Sequence, residues 1–254
     1  MLTGKRVLVT GAATGIGAAT SRYLLVQGAS VFGVGLDAVD GQALAQDCAP
    51  SPFVFHEADL TREADVQTAI TAAVQRFGGL DAVVNAAGIY PTGKRLHELN
   101  DTEWQHTLDV NLTAIFRVCR ATLPVLSDAG GGTVVNVASV HAHATVSGVP
   151  AYAASKGAVV ALSRQMALDY ARDRIRVNAL IVGSVATRMT LDAVEEAGGA
   201  EALGLTFSKD QIGRIAEPSE VASVVGFLIS DASSFMTGSA LQADGGLLSR
   251  LTLG

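Results

Sequence analysis

The 254 residues are 49% apolar and 17% charged, a balance that allows a sizeable buried core and excludes a disordered chain. The formal net charge of −6, with no long basic run, argues against nucleic acid or an anionic membrane surface as partner. No stretch reaches the apolar length of a membrane span. Met1-Leu2-Thr3-Gly4-Lys5-Arg6 leads into a strand-like run without a secretory or transit pattern, so a cytoplasmic protein is expected. Cys48 and Cys119 lie far apart and outside any metal-ligand cluster, which fits a reducing compartment and a protein without a metal.

In chain order, the first strand is Arg6-Val7-Leu8-Val9-Thr10. It runs into Thr10-Gly11-Ala12-Ala13-Thr14-Gly15-Ile16-Gly17, which opens a helix over about Ile16 to Gln27. Glycines there permit a tight turn and close approach of a pyrophosphate, which a helix N-terminus favours electrostatically. The spacing is G-x-x-x-G-x-G, and its placement between strand and helix is what raises it above a merely structural turn. Ser30-Val31-Phe32-Gly33-Val34 is the second strand, followed by Gly35 and Asp37. Phe53-Val54-Phe55 is the third, followed by Asp59-Leu60, where Asp59 taken alone reads as a cap for the helix from Thr61 onward. A helix over Glu63 to Phe77 leads to the fourth strand, Ala82-Val83-Val84-Asn85, and the turn Asn85-Ala86-Ala87-Gly88.

A long helix over Thr102 to Leu126 carries Asn111. The fifth strand, Thr133 to Val137, stops just before Ser139, and a helix over Ala151 to Ala171 carries Tyr152 and Lys156. Ile175 to Leu180, a helix over Ser219 to Ile229, and the strand Ser239 to Gln242 complete the pattern. This alternation predicts an α/β protein: a Rossmann-type doubly wound parallel sheet of about seven strands, with helices on both faces, in one dinucleotide-binding domain over 1–254. From about 183 to 214 the period is lost, through Met189, Val194, Gly198-Gly199, Leu203 and Phe207. Beyond a strand end, such a segment is expected to be a substrate lid, the other reading being a poorly packed surface helix pair.

Ser139, Tyr152 and Lys156 form the sharpest signal. Residues four apart share a helix face, so the Lys156 ammonium can lie beside the Tyr152 phenol. Bringing a tyrosine from about 10 to about 7 needs roughly 4 kcal/mol of preference for the phenolate. One cation at about 4 Å in an effective dielectric of about 20 supplies about that much at best. Tyr152 is then a proton acceptor from an alcohol, or a donor to a carbonyl in reverse. Ser139 would hold the substrate oxygen.

These motifs resemble the short-chain dehydrogenase/reductase family over nearly the whole chain. Thr10 to Gly17 matches its T-G-x-x-x-G-[IL]-G, Asn85-Ala86-Ala87-Gly88 its N-[NA]-A-G, and Tyr152-Ala153-Ala154-Ser155-Lys156 its Y-x-x-x-K. The resemblance implies a nicotinamide cofactor held by Gly11, Thr14, Gly15, Ile16, Gly17, Asp59, Leu60, Asn85, Ala86, Ala87, Gly88, Tyr152, Lys156, Gly183, Val185 and Thr187. It implies a catalytic group of Asn111, Ser139, Tyr152 and Lys156, with Asn111 holding a water that links Lys156 to solvent, and a homotetramer pairing the two long helices. Val182 stands where the family usually has proline, which puts the nicotinamide-side loop in question, with Thr187 retained.

The family's usual acidic position after the second strand is Gly35 here, with Asp37 two residues on and no Arg or Lys between Gly28 and Gly41. That favours NAD over NADP, with Asp37 as ribose ligand, plain solvated loop charge being the other reading. By analogy the substrate lies near Tyr90, His141, His143, Val149 and Met189, the histidines being rim residues rather than a metal pair. Period-2 alternation would let both point inward. Lys94, Arg95 and Arg188 are expected to face water. A small neutral secondary alcohol or ketone is the expected substrate. The alternatives are NADPH-dependent reduction of a carrier-bound 3-oxoacyl group and a non-catalytic dinucleotide sensor.

Overall fold

The structure, a computed structural model, describes residues 2–249. Strand β1 (Arg6–Thr10) alternates Val7 and Val9 on one face with Leu8 on the other. Helix α1 (Gly15–Val26) and strand β2 (Ser30–Gly35) follow, then helix α2 (Ala38–Asp47), strand β3 (Phe53–Glu57), helix α3 (Glu63–Phe77) and strand β4 (Ala82–Asn85). The expected long helix is two: α4 (Asp101–Leu108) and α5 (Ala114–Asp128), separated by a π turn over Asp109–Thr113. Strand β5 (Gly132–Val137), helix α6 (Pro150–Asp169), strand β6 (Ile175–Val182), helix α7 (Arg188–Glu196), helix α8 (Pro218–Ile229) and strand β7 (Ala240–Ala243) complete the order.

All seven strands pair in parallel in the order β3-β2-β1-β4-β5-β6-β7. The order reverses between β1 and β4, the point at which open α/β sheets leave a crevice for ligands. One face is covered by α3, α5 and α6 through Val66, Ile70, Val118, Leu123, Val159 and Met166. The other is covered by α1 and α8 through Leu24, Leu25, Val221, Val225 and Leu228. Helices α1 and α8 approach closely because Gly226 has no side chain: a Cβ there would lie 2.4 Å from the Tyr23 ring.

Helix α2 has no counterpart in the sequence reading, and α7 answers only to its second reading of 183–214, a poorly packed surface helix pair. Helix α2 buries only Gly41 and Leu44, so it has no apolar stripe to detect. It presses on β3 so closely that a Cβ on Gly41 would sit 2.3 Å from the Phe55 ring. Helix α7 buries no residue. Strand β6 runs on through Val182, which is buried and in register with Ala243, so β-branching supplies the extended backbone.

Candidate active site

The phosphate loop is shaped by contacts no side chain could share. Gly11 and Gly15 have φ of +64° and +54°, and a Cβ on Gly17 would lie 2.1 Å from the Gly11 carbonyl oxygen. Gly17 therefore lets the start of α1 lie hard against the Gly11 carbonyl. The Thr10 hydroxyl accepts hydrogen bonds from Ala86 N at 3.1 Å and Ala87 N at 3.2 Å, joining the ends of β1 and β4. Thr14 precedes α1 without capping it through its side chain, and the first turn holds no acid, so the helix N-terminus stays available to an anion.

Three cavities run along the carboxyl ends of the strands. One of about 280 Å³ is lined by Gly11, Thr14, Gly35, Asp37, Asp59 and Leu60, with Ala87 and Gly88. A second, of about 110 Å³, has Ile16, Ala86, Lys156, Val185 and Thr187 in its wall and shares Gly88 and Ile89 with the first. The third, of about 410 Å³, is lined by Tyr90, His141, Val149, Glu196 and Leu205 among others. Ser139, Tyr152, Gly183, Met189 and Thr190 line both the second and the third. The glycine cradle and the first two cavities, end to end, fit a dinucleotide.

Ser139 lies two residues past the end of β5, is buried, and accepts from His141 N at 3.3 Å. Tyr152 lies in the first turn of α6, with Lys156 one turn on, its Nζ 5.7 Å from the Tyr152 ring centroid. Lys156 is 5% exposed and donates to the Val137 carbonyl at 3.0 Å. The expected depression of Tyr152 is reversed in the chain alone. Burial pushes its phenol up to about 12, opposed by the Ser139 hydroxyl, while burial pushes Lys156 down to about 8.

Asn111 sits in the π turn, where Ala114 N reaches back five residues to the Asp109 carbonyl. Its Oδ1 accepts from Ile89 N at 2.8 Å, and its Nδ2 donates to Ile89 O at 3.0 Å and Ser155 Oγ at 3.2 Å. Both amide hydrogens are therefore committed to protein, and the side chain clamps the Gly88–Ile89 segment against α6. Ser155, which the sequence reading missed, ties this clamp to the Tyr152 carbonyl at 2.7 Å.

Other expected residues fall elsewhere. The Asn85 side chain turns into the core, donating to Asn136 Oδ1 at 2.8 Å, and lines none of these cavities. His143 is exposed, because Val140–Ala142 forms a 3-10 turn and period-2 alternation does not apply. His141 alone of the pair reaches the site. Asp37 caps α2, accepting from Asp40 N at 3.0 Å, and still lines the cavity beside Gly35. Lys94 pairs with Glu103, Arg95 with Glu98 and Arg188 with Asp192, as expected of cations facing solvent. Among the described residues no cluster could hold a metal ion, and no helix is long and apolar enough to cross a membrane.

A family model described as enoyl-(acyl carrier protein) reductase matches residues 11–248. The chain is 37% identical to 2,5-dichloro-2,5-cyclohexadiene-1,4-diol dehydrogenase of Sphingobium indicum, over 96% of this chain and 97% of that one. It is 39% identical to the 3-alpha-(or 20-beta)-hydroxysteroid dehydrogenase of Mycobacterium tuberculosis, over 98% of this chain and 92% of that one. The solved structure of levodione reductase superimposes with a TM-score of 0.91 at 31% identity, covering 98% of this chain and 99% of that one. The chain belongs to the short-chain dehydrogenase/reductase family. As a member of that family it is a nicotinamide-dependent oxidoreductase acting on CH–OH groups. The dehydrogenase sheet thus brings Ser139, just past β5, and Tyr152 and Lys156 on α6 to the crevice side on which such folds bind their ligands.

Proposed function

We propose that this dehydrogenase interconverts small, neutral, cyclic secondary alcohols and their ketones with NAD, using Tyr152 as proton acceptor and donor. The observation that carries this is the shared wall: Ser139 and Tyr152 line both the cavity next to Lys156 and the larger one beyond it. When bound, the oxidised nicotinamide supplies a hydride acceptor and a positive charge. Ser139 hydrogen-bonds the substrate oxygen, and Tyr152 takes the hydroxyl proton. Lys156, desolvated and beside the ring, favours the phenolate. Asn111 positions the Gly88–Ile89 segment and, through Ser155, the first turn of α6. Both curated relatives named above carry a ring alcohol in their names, which supports a cyclic substrate.

The preference for NAD rests on the cavity beside Gly35. Asp37 and Asp59 line it and no Lys or Arg does, so a 2′-phosphate would meet carboxylates and no cation. The segment 183–214 serves as the lid of a single dinucleotide-binding domain: Met189, Thr190, Ala193, Glu196, Leu203 and Leu205 wall the larger cavity from one side. A homotetramer is the proposed assembly, supported by Phe116 on α5 and Leu168 on α6, exposed at 47% and 75%. The test is a panel of cyclic and acyclic secondary alcohols assayed with NAD and with NADP. NAD-linked oxidation strongest on the cyclic members is expected. Absence of any alcohol oxidation with either cofactor, or equal rates with acyclic alcohols, overturns it.

A further inference from the structure

The cavity in front of Tyr152 is walled by three rings, two of which the proposed proton transfer does not use. Tyr90 meets Tyr152 edge to face, with centroids 4.7 Å apart and planes at 83°. His141 meets Tyr152 at 5.4 Å and 80°, and Tyr90 at 5.6 Å.

His141 also brings a polar atom. Its Nδ1 is 2.9 Å from Thr145 Oγ1, and that oxygen lies 3.4 Å from the Val146 carbonyl. In the tautomer in which the imidazole donates through Nδ1, the Thr145 hydroxyl is left to turn to that carbonyl. Nε2 then keeps its lone pair. Among the described residues it has no hydrogen-bond partner, and it belongs to a side chain that lines the cavity. Burial holds the imidazole below its usual range, so the ring is a neutral acceptor rather than a cation at pH 7. Glu196 also lines this cavity, and no Lys or Arg does. A carboxylate or phosphate on the substrate would find no positive charge here. A hydroxyl would find an acceptor.

The reacting oxygen must meet the Ser139 and Tyr152 hydroxyls, so any group held by His141 belongs to a different substrate atom. We propose that His141 Nε2 accepts a hydrogen bond from a second hydroxyl on the substrate ring, making cyclic diols and hydroxy-ketones, rather than simple cyclic alcohols, the preferred substrates. Thr145 is the positioning residue that holds the imidazole through Nδ1. A site with a polar atom left unpaired by the wrong substrate discriminates far more sharply than one that merely lacks a methylene contact. The inference rests on the alcohol-oxidising function proposed above.

The experiment compares kcat/KM for cyclohexanol with that for the 1,2-, 1,3- and 1,4-cyclohexanediols, in the wild type and in His141→Phe, His141→Gln and Thr145→Val. In the wild type, the best diol is expected to exceed cyclohexanol by at least about tenfold. His141→Phe should collapse that ratio towards one. His141→Gln, whose amide oxygen is again an acceptor, should recover part of it, and Thr145→Val should lower it less than His141→Phe does. Thermal unfolding of each variant separates a lost hydrogen bond from a lost fold. Cyclohexanol oxidised as well as every diol overturns this inference and leaves the proposed function standing. No oxidation of any alcohol overturns the proposed function itself. A diol preference unchanged in His141→Phe also overturns the inference, since another group then reads the second hydroxyl.

Discussion

Lys156 is an ammonium that water barely reaches, hydrogen-bonded to a single main-chain carbonyl. Its pKa falls from 10.5 in the free side chain to about 8 in the fold, so the unfolded chain binds the extra proton between those values. Stability from this group therefore rises with pH across that window, and below it the buried charge costs about 3 kcal/mol in full. Lys156→Met keeps the stem and removes the charge. It should melt higher than the wild type at pH 7, by a margin that shrinks by pH 10, while activity is lost. A lower melting temperature at pH 7 would refute the argument. Tyr152→Phe should cut turnover by at least ~10²-fold with dinucleotide binding retained, as read by fluorescence titration. Oxidation by the wild type should rise with pH as the phenol gives up its proton, a limb the Phe variant should lack. Asp37 caps α2 and is proposed to face the ribose, so Asp37→Asn is the cleaner test because it keeps the acceptor for Asp40 N. The wild type should prefer NAD by at least ~10-fold in kcat/KM, about 1.4 kcal/mol, and Asp37→Asn should erase most of that. Gly35→Asp should leave the preference intact, since a Cβ there meets only the Phe55 ring at 3.6 Å and more distant atoms. An unchanged cofactor ratio in Asp37→Asn would make that residue only a cap.

Elements with a strong period were legible, and those held by other means were not. Strands β1 and β4 coincide with their predicted bounds because apolar runs end abruptly at Thr10 and Asn85. Helix α2 escaped detection because it is anchored by a glycine contact and one leucine, and α7 was only a second reading because it buries nothing and so has no period. The break between α4 and α5 was invisible for a different reason: the sequence through Asp109–Thr113 keeps helical character, and only the hydrogen-bond span changes. Arg176 is another silent element. A charge inside a strand reads as an outward residue, yet its guanidinium donates to the carbonyls of Leu228, Ser230, Ser233 and Met236 and to Thr133 Oγ1. It thereby receives the carbonyl end of α8 and locks it to β6 and β5. Arg176→Met should lower unfolding stability by about 3 kcal/mol, measured by urea denaturation, with little change in KM for the dinucleotide. A loss below half of that would mean that water replaces the guanidinium at those carbonyls.

For the whole molecule, the doubly wound parallel sheet follows from the β-α alternation, whereas its reversal point between β1 and β4 is seen only in the fold. What could not be read was which side chains face the crevice. Asn85 and His143 turn away from it, while Thr190 and Glu196 enter it from a segment without period. At the same scale, the proposed tetramer should depend on the exposed α6 face. Leu168→Asp should sediment as a smaller species than the wild type at micromolar concentration, and an unaltered sedimentation profile would move the interface elsewhere. The Thr10 hydroxyl takes hydrogen bonds from two successive main-chain N–H groups across the reversal point. It works as a spacer of fixed width between the two halves of the sheet. The slot is thus set before any dinucleotide enters, and little ordering entropy remains to be lost when one does.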